Sequence, residues 1–396
     1  MQLTIVWHKP CWRAPQSPTG FAVHCCLGHS EFGGLSRQVE ALSELFDATH
    51  IVAPCSQATD RLGEIALAGK NVSVVPLTWL PRSPWLTWLS LPFWLARNGV
   101  TLVREASRAD AVFAFIPSPI GVMALVLALA LRKPLLTRQL NNWSEPRFLW
   151  RVERALLERI AGGKNVVFAT GDSDEPPSRR NPDIRWIFST AMSERQLAAN
   201  AVARSRATGR PARLILVGVE PNTAGTCILL RALRLLVREF LDVTLDIVGD
   251  SAAFAKLEQL VRELHLADRV TLHGWMSRER LLELLRQADL FCIPTDETEG
   301  FRQAVHEALA CGLPVIATQA SIGPMLTGQG CGVILQESTP EAFAAAVRDC
   351  LSDPARYRAM SIAALRKARR YSLERSREDH PRASGASVGA PAVGAG

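Results

Sequence analysis

Short apolar runs alternate along this chain with longer amphipathic stretches, the pattern of parallel strands joined by crossover helices. In the first half, Leu3–Trp7, His50–Ala53, Val72–Pro76, Ala111–Phe115, Pro134–Thr137, Val166–Ala169 and Ile184–Phe188 read as strands. The pattern restarts with Leu214–Val217, Val243–Val248, Val270–His273, Leu290–Ile293 and Val315–Ala317. Between the two series, residues 191–211 are polar and alanine-rich, with Gly209 and Pro211 near the end, and the domain junction is placed there. The expectation is an α/β chain of two doubly wound, Rossmann-like domains, 1–190 and 212–352, facing each other across a cleft. Ligand is then expected at the carboxyl ends of the strands. Residues 353–379 read as C-terminal helices. Residues 380–396, rich in Gly, Ala, Pro and Ser, read as a disordered tail.

Two apolar stretches bear on membranes. Val112–Leu131 is apolar for 20 residues, but Pro117 and Pro119 divide it into a strand and a following helix. Trp79–Arg97 holds four tryptophans, a phenylalanine and five leucines, and Pro81, Pro84 and Pro92 are expected to prevent one long spanning helix. Two readings of it stand: a segment lying on a bilayer interface, or a buried packing segment of the first domain.

The densest chemistry lies in Glu299–Thr318, EGFRQAVHEALACGLPVIAT. Phe301, Val305, Ala308 and Leu309 recur at helical spacing, Gly312 ends the helix, and an apolar run suited to a buried strand follows. Unpaired amides at the start of this helix favour an anion. Glu299 stands just before that start and Glu307 lies further along the helix, so carboxylates flank the anion position. A ligand with hydroxyls on both sides of a diphosphate fits, and a nucleotide sugar has that order.

On these residues the chain resembles the family 4 glycosyltransferases of the GT-B fold, whose mark is Glu-x7-Glu within EGF…EA-ACG-PV. The resemblance implies that Glu299, Gly300 and Phe301 lie against the donor sugar and phosphates and that Glu307 binds the nucleotide ribose. It makes the first domain acceptor-binding and the second donor-binding, with the last helices crossing back to the first domain. It also implies a retaining transfer with no bound metal. The nucleotide sugar is a co-substrate, and Asp296–Glu297 is no more than a short acidic loop. Gly33-Gly34, ahead of an amphipathic helix bearing Val39, Leu42, Leu45 and Phe46, matches the family's loop over the diphosphate. Gly274 and Trp275 fall where the family places backbone and a side chain beside the base; a tryptophan there is otherwise a core plug.

Departures stand beside the matches. Gly218 and Gly225 keep the family's glycine positions. Val219 and Ala224, however, occupy the places of the arginine and lysine that neutralise the diphosphate, and each lost charge-assisted bond is worth about 1.5–3 kcal/mol. Arg302 is the candidate replacement; the other reading is an exposed arginine in an arginine-rich chain. Ser251 replaces a glycine of the turn after the second strand of that domain. In TRQLNNW (137–143) no histidine follows the strand, which leaves Arg138, Asn141 or Asn142 to hold sugar or acceptor; a loop-starting turn is the alternative.

Composition narrows the classes that remain. The chain has 396 residues, 48% hydrophobic and 21% charged, long enough for two cores. Nine cysteines without paired spacing, and a start (MQLTIVWHKP) that reads as a strand, point to a reducing cytoplasm, with the inner membrane face as a peripheral location. The net charge of +7 suits an anionic partner, yet no nucleic-acid-binding motif accompanies it. Three functions follow. The first is transfer of a sugar from a nucleotide sugar to a glycan or lipid-linked acceptor. The second is a weakened binding or regulatory protein on the same fold, because of Val219 and Ala224. The third is another GT-B enzyme such as an epimerase or phosphorylase. Only six lysines are available for a pyridoxal cofactor, none in a family context.

Overall fold

The computed structural model describes the chain except residues 8–10, 15–16, 25–33, 57–63, 68, 70, 79–83, 141–142, 144–147, 171–174, 188–189, 191, 201–202, 205–210, 219–223, 240, 250–253, 275, 295–302, 320–329 and 376–396. The chain builds two sheets, one from each half of the sequence pattern.

The first sheet has a parallel body of β1 (Gln2–Val6), β4 (Ala48–Ser56), β6 (Val72–Leu77), β7 (Ala111–Ile116), β8 (Leu135–Gln139), β9 (Asn165–Thr170) and β10 (Arg185–Ile187), in spatial order β10-β9-β8-β7-β1-β4-β6. Three short strands that the sequence pattern did not predict, β2 (Cys11–Arg13), β3 (Phe21–His24) and β5 (Glu64–Ala66), extend it from β4, β2 to β3 and β3 to β5 being antiparallel. Runs of three or four residues are too short to show a period. One face carries α1 (Gly34–Ser43), through Val39 and Leu42. The other carries α2 (Pro84–Arg108), α3 (Pro119–Ala130) and α4 (Phe148–Ile160) in one continuous core.

The split of Val112–Leu131 is seen as expected: β7 ends before Pro117, and Ser118 caps α3 by accepting from the Gly121 amide at 2.9 Å. The expectation for Pro92 is corrected. It sits inside the unbroken 25-residue α2. Its side chain is exposed, on the outward face of the helix. Trp94 is a core residue whose indole donates to the Thr78 carbonyl at 2.7 Å, while its neighbours Phe93 and Leu95 point outward. No helix among the described residues is long and apolar enough to cross a membrane.

The second sheet is wholly parallel: β11 (Ala212–Val217), β12 (Val243–Val248), β13 (Val270–His273), β14 (Leu290–Ile293), β15 (Val315–Thr318) and β16 (Gly332–Leu335), in order β13-β12-β11-β14-β15-β16. That is the doubly wound order, and its direction of winding reverses between β11 and β14. Strand residues alternate between two cores. Leu214, Leu216 and Leu245 meet α6 (Ala224–Arg238), α7 (Phe254–Glu263) and α10 (Pro340–Ser352). Ile215, Val217 and Val248 meet α8 (Arg278–Gln287), α9 (Gln303–Ala310) and α11 (Pro354–Ala368).

The 191–211 stretch is more than a polar linker. Ser193 and Gln196 form a capping box on α5 (Glu194–Ala199), and Met192 and Leu197 are buried in the second core. The chain after α11 returns to this stretch, with the Leu373 amide on the Met192 carbonyl at 3.0 Å and the Glu194 amide on Glu374 at 2.9 Å.

Candidate functional site

Helix α9 is short and entirely buried, every side chain from Gln303 to Ala310 being inside. Its stop is defined by backbone geometry. Gly312 adopts φ 70°, its amide bonds the Leu309 carbonyl, and the Leu313 amide bonds the Ala308 carbonyl at 3.0 Å. This crossed pair of bonds at a left-handed glycine ends a helix and turns the chain directly into the next strand. The sequence-based stop at Gly312 is therefore seen in the structure, the described helix running Gln303–Ala310; the expected start at 301 lies outside the described residues.

Burial makes the polar members of α9 informative. Glu307 has no exposed surface. Its Oε1 accepts from Arg278 Nε at 2.6 Å and from Gln303 Nε2 at 3.0 Å. Arg278, the first residue of α8, is itself 9% exposed. The fork is engaged on one side only, because Glu307 Oε2 and Arg278 Nη2 are both buried without a hydrogen-bond partner. Buried carboxylate oxygens and guanidinium nitrogens rarely stay unmatched, since each then loses its hydration for nothing. The pair can thus hold a group that donates to an oxygen and accepts from a nitrogen, as a hydroxyl does. Glu307 was legible in the sequence; Arg278 was not, because its partner is 29 residues away on another helix.

His306, also overlooked in the sequence, is the neighbour of Glu307 and equally buried. Its Nε2 lies 3.1 Å from the Ala368 carbonyl and its Nδ1 3.4 Å from Thr190 Oγ1. A carbonyl only accepts, so Nε2 carries the hydrogen of a neutral ring. Burial pushes the pKa of His306 down to about 4, the two backbone hydrogen bonds opposing and the Arg278 charge adding to the shift. Tyr371 packs edge-on at 6.1 Å, with Lys367 over its ring.

The glycine positions separate by conformation. Gly218, immediately after β11 at the reversal of strand order, has φ 87° and open space where a Cβ would stand. A side chain is disfavoured there, and no described residue lies within 4 Å of the Cβ position. Gly274, after β13, is likewise open and exposed. Gly225 lies in the first turn of α6, whose first residue is the exposed Ala224. Gly34 is the first residue of α1. Gly33, Trp275, Glu299, Gly300, Phe301 and Arg302 lie outside the described residues, as do Val219, Asn141 and Asn142.

Arg138, at the carboxyl end of β8, is 2% exposed. Its Nη1 donates to Gln38 of α1 at 2.6 Å and its Nε to Thr170 at the end of β9 at 3.2 Å. Thr170 in turn donates to the Gln139 carbonyl at 2.5 Å. The guanidinium therefore ties α1 to the ends of two strands. Among the described residues, no three His, Cys, Asp or Glu side chains converge as a metal site.

Two doubly wound halves, with a buried carboxylate on the helix after β14, define a protein of the GT-B class. Solved structures of that class superpose on nearly the whole chain. HepE from Anabaena, in complex with UDP and glucose, matches with a TM-score of 0.65 at 17% identity, covering 96% of this chain and 98% of that one. WaaG, a glycosyltransferase involved in lipopolysaccharide biosynthesis, matches at 0.62 and 14% identity, covering 97% and 100%.

Residues 198–353 match the family described as glycosyl transferases group 1, the part of the chain that carries the resemblance to the family 4 glycosyltransferases. A D-inositol 3-phosphate glycosyltransferase from Thermobispora bispora is 33% identical over 263 residues, 54% of this chain and 60% of that protein. The GDP-mannose-dependent alpha-(1-6)-phosphatidylinositol monomannoside mannosyltransferase of Mycolicibacterium smegmatis is 31% identical over 161 residues, 39% of this chain and 42% of that protein. These matches span less than two thirds of the curated relatives' own length.

Proposed function

We propose that the protein is a retaining glycosyltransferase that moves a sugar from a nucleotide-sugar donor to a glycan or lipid-linked acceptor. The observation that carries this reading is the half-engaged carboxylate of Glu307, fixed through Oε1 by Arg278 and Gln303 and unmatched at Oε2. A ribose hydroxyl donating to Oε2 completes it. Gly218 and Gly274 offer open backbone beside the ends of the strands for the rest of the nucleotide. In this reading Glu299 and the 300–302 loop hold the transferred sugar and the diphosphate, Arg302 supplying positive charge where Val219 and Ala224 cannot. Arg138 acts as a positioning residue through Gln38 and α1. The donor phosphate takes the acceptor proton on the same face, and the protein's work is orientation and stabilisation of charge on the leaving diphosphate.

The neighbours support the class of donor and leave the base and sugar open. The HepE structure holds UDP and glucose, and the mycobacterial relative's name specifies GDP-mannose. Calorimetry with UDP, GDP and ADP on the wild type and Glu307→Gln tests the site. Micromolar binding of one nucleotide, lost in the variant, supports it; equal binding by both proteins removes Glu307 from the site.

The exposed, uncharged Ala224 at the start of α6 favours a second reading, a binding or regulatory protein that retains the nucleotide site without turnover. Slow hydrolysis of the matching nucleotide sugar separates the two, since an enzyme shows it and a pure binder does not. Arg302→Ala should weaken donor affinity; unchanged affinity would remove Arg302 as the replacement charge.

A further inference from the structure

Among the described residues, ten large hydrophobic side chains are exposed, and eight of them lie on α2, α3 and α4. These helices share one face of the first sheet, so their outward sides form one surface. On α2, Phe93 (82% exposed) and Val100 (78%) are seven residues apart and on one stripe, with Val103 flanking it. On α3, Val122 and Val126 are one turn apart, as are Val152 and Leu156 on α4. Helix α3, PIGVMALVLALA, has no polar side chain at any position. A helix apolar all round is normally covered on every side, and this one has a bare outward face.

The charges between these side chains say what covers them. Five charged residues on the three helices are exposed, Arg97, Arg104, Arg108, Arg151 and Arg159, and all are cationic. The carboxylates of the same helices are withdrawn. Glu105 is buried, with Oε2 2.8 Å from His50 Nδ1 and Oε1 accepting from Arg104 Nε at 3.4 Å; Glu153 and Glu158 are partly buried. A second copy of the chain docked on this face would set arginines against arginines. A nucleic acid would match the charge but leave Phe93 and the valines in water. An anionic lipid surface accepts both, the apolar side chains entering the headgroup–acyl boundary and the guanidiniums binding phosphate.

We propose that the outer face of α2, α3 and α4 docks the protein on an anionic bilayer. The docking site thus lies on three helices of the first domain, with Phe93 and Arg97 as its described share of the tryptophan-rich segment. It stands independently of the reaction proposed above.

Flotation of the full-length protein with phosphatidylglycerol–phosphatidylcholine vesicles, against phosphatidylcholine alone, tests it. The wild type should float with the anionic vesicles and stay down with the neutral ones, and higher salt should weaken the binding. The double variant Phe93→Ser/Val100→Ser should lose roughly tenfold or more in partitioning, as should Arg97→Glu/Arg104→Glu. Circular dichroism and nucleotide binding check that each variant is folded. Failure of the wild type to float, or equal flotation of folded variants, overturns the proposal. So does a dimer in light scattering that Phe93→Ser disperses, since the face is then a self-interface.

Discussion

Arg278, at the start of α8, and Glu307, within the buried α9, are joined by one 2.6 Å bond while each keeps a second polar atom unmatched. Such a pair is a poor device for stability alone. Removing one member leaves the other charged and buried, which costs about 3–5 kcal/mol. Arg278→Ala is therefore expected to lower the unfolding free energy by that amount. The apolar double variant Arg278→Met/Glu307→Leu should recover most of the loss. Chemical denaturation measures both, and nucleotide binding should be absent from both. Binding by the double variant would mean that the pair serves packing only.

His306 gives the protein an acid limit. Its pKa in the fold is about 4, against 6.5 for a free histidine, so below pH 6.5 the unfolded chain takes up a proton that the native ring refuses. Stability is then complete above pH 6.5 and falls as the pH drops toward 4, by on the order of 3 kcal/mol. Denaturation midpoints at pH 7 and pH 5 should differ, and His306→Asn should flatten the difference. An unchanged slope in the variant assigns the effect to another group.

A gain is expected at His265. It occupies a left-handed position after α7, with φ 53°, its amide on the Arg262 carbonyl and the Leu266 amide on the Val261 carbonyl at 3.0 Å. Glycine takes that conformation without a Cβ clash, so His265→Gly should stabilise by about 1 kcal/mol, read as a higher melting temperature.

Gly332 permits no such exchange. It pairs with Val315 across β15 and β16, and a Cβ there would lie 1.9 Å from the Val315 carbonyl oxygen. The obstacle is ladder backbone and has no flexible end to retreat. Gly332→Ala is expected to cost at least about 3 kcal/mol, the upper part of the range for overpacking. A midpoint within error of the wild type would show that β16 can detach.

The strands of the two parallel sheets were legible from their own apolar runs, whereas the 25-residue α2 was not, because its prolines read as breaks. All twelve predicted strands are strands, and Pro119 and Gly312 punctuate as their chemistry requires. Cys11–Arg13, Phe21–His24 and Glu64–Ala66 were not legible, because pairing with neighbours, and no internal pattern, makes them strands. Pro92 misled because a local rule about hydrogen bonds was applied without knowing which face would be wet. At the site, Glu307 stood out through its motif. Arg278 and His306 acquire meaning only from partners brought together by the fold, at separations of 29 and 62 residues. Arg138 was visible as a residue, but its partner Gln38 lies 100 residues earlier.

His306 spends both ring nitrogens on segments outside its own helix, and those segments hold each other through the Met192 carbonyl and the Leu373 amide. Helix α9 is in effect keyed between the strand-to-linker passage and the last turn of α11. It cannot slide or rotate without breaking a bond on one side or the other. Whatever settles on the carboxylate of Glu307 therefore presses on a lock one residue away. The amides of Met192 and Leu373, outside any ligand's reach in this reading, become the places where occupancy is felt as slower hydrogen exchange.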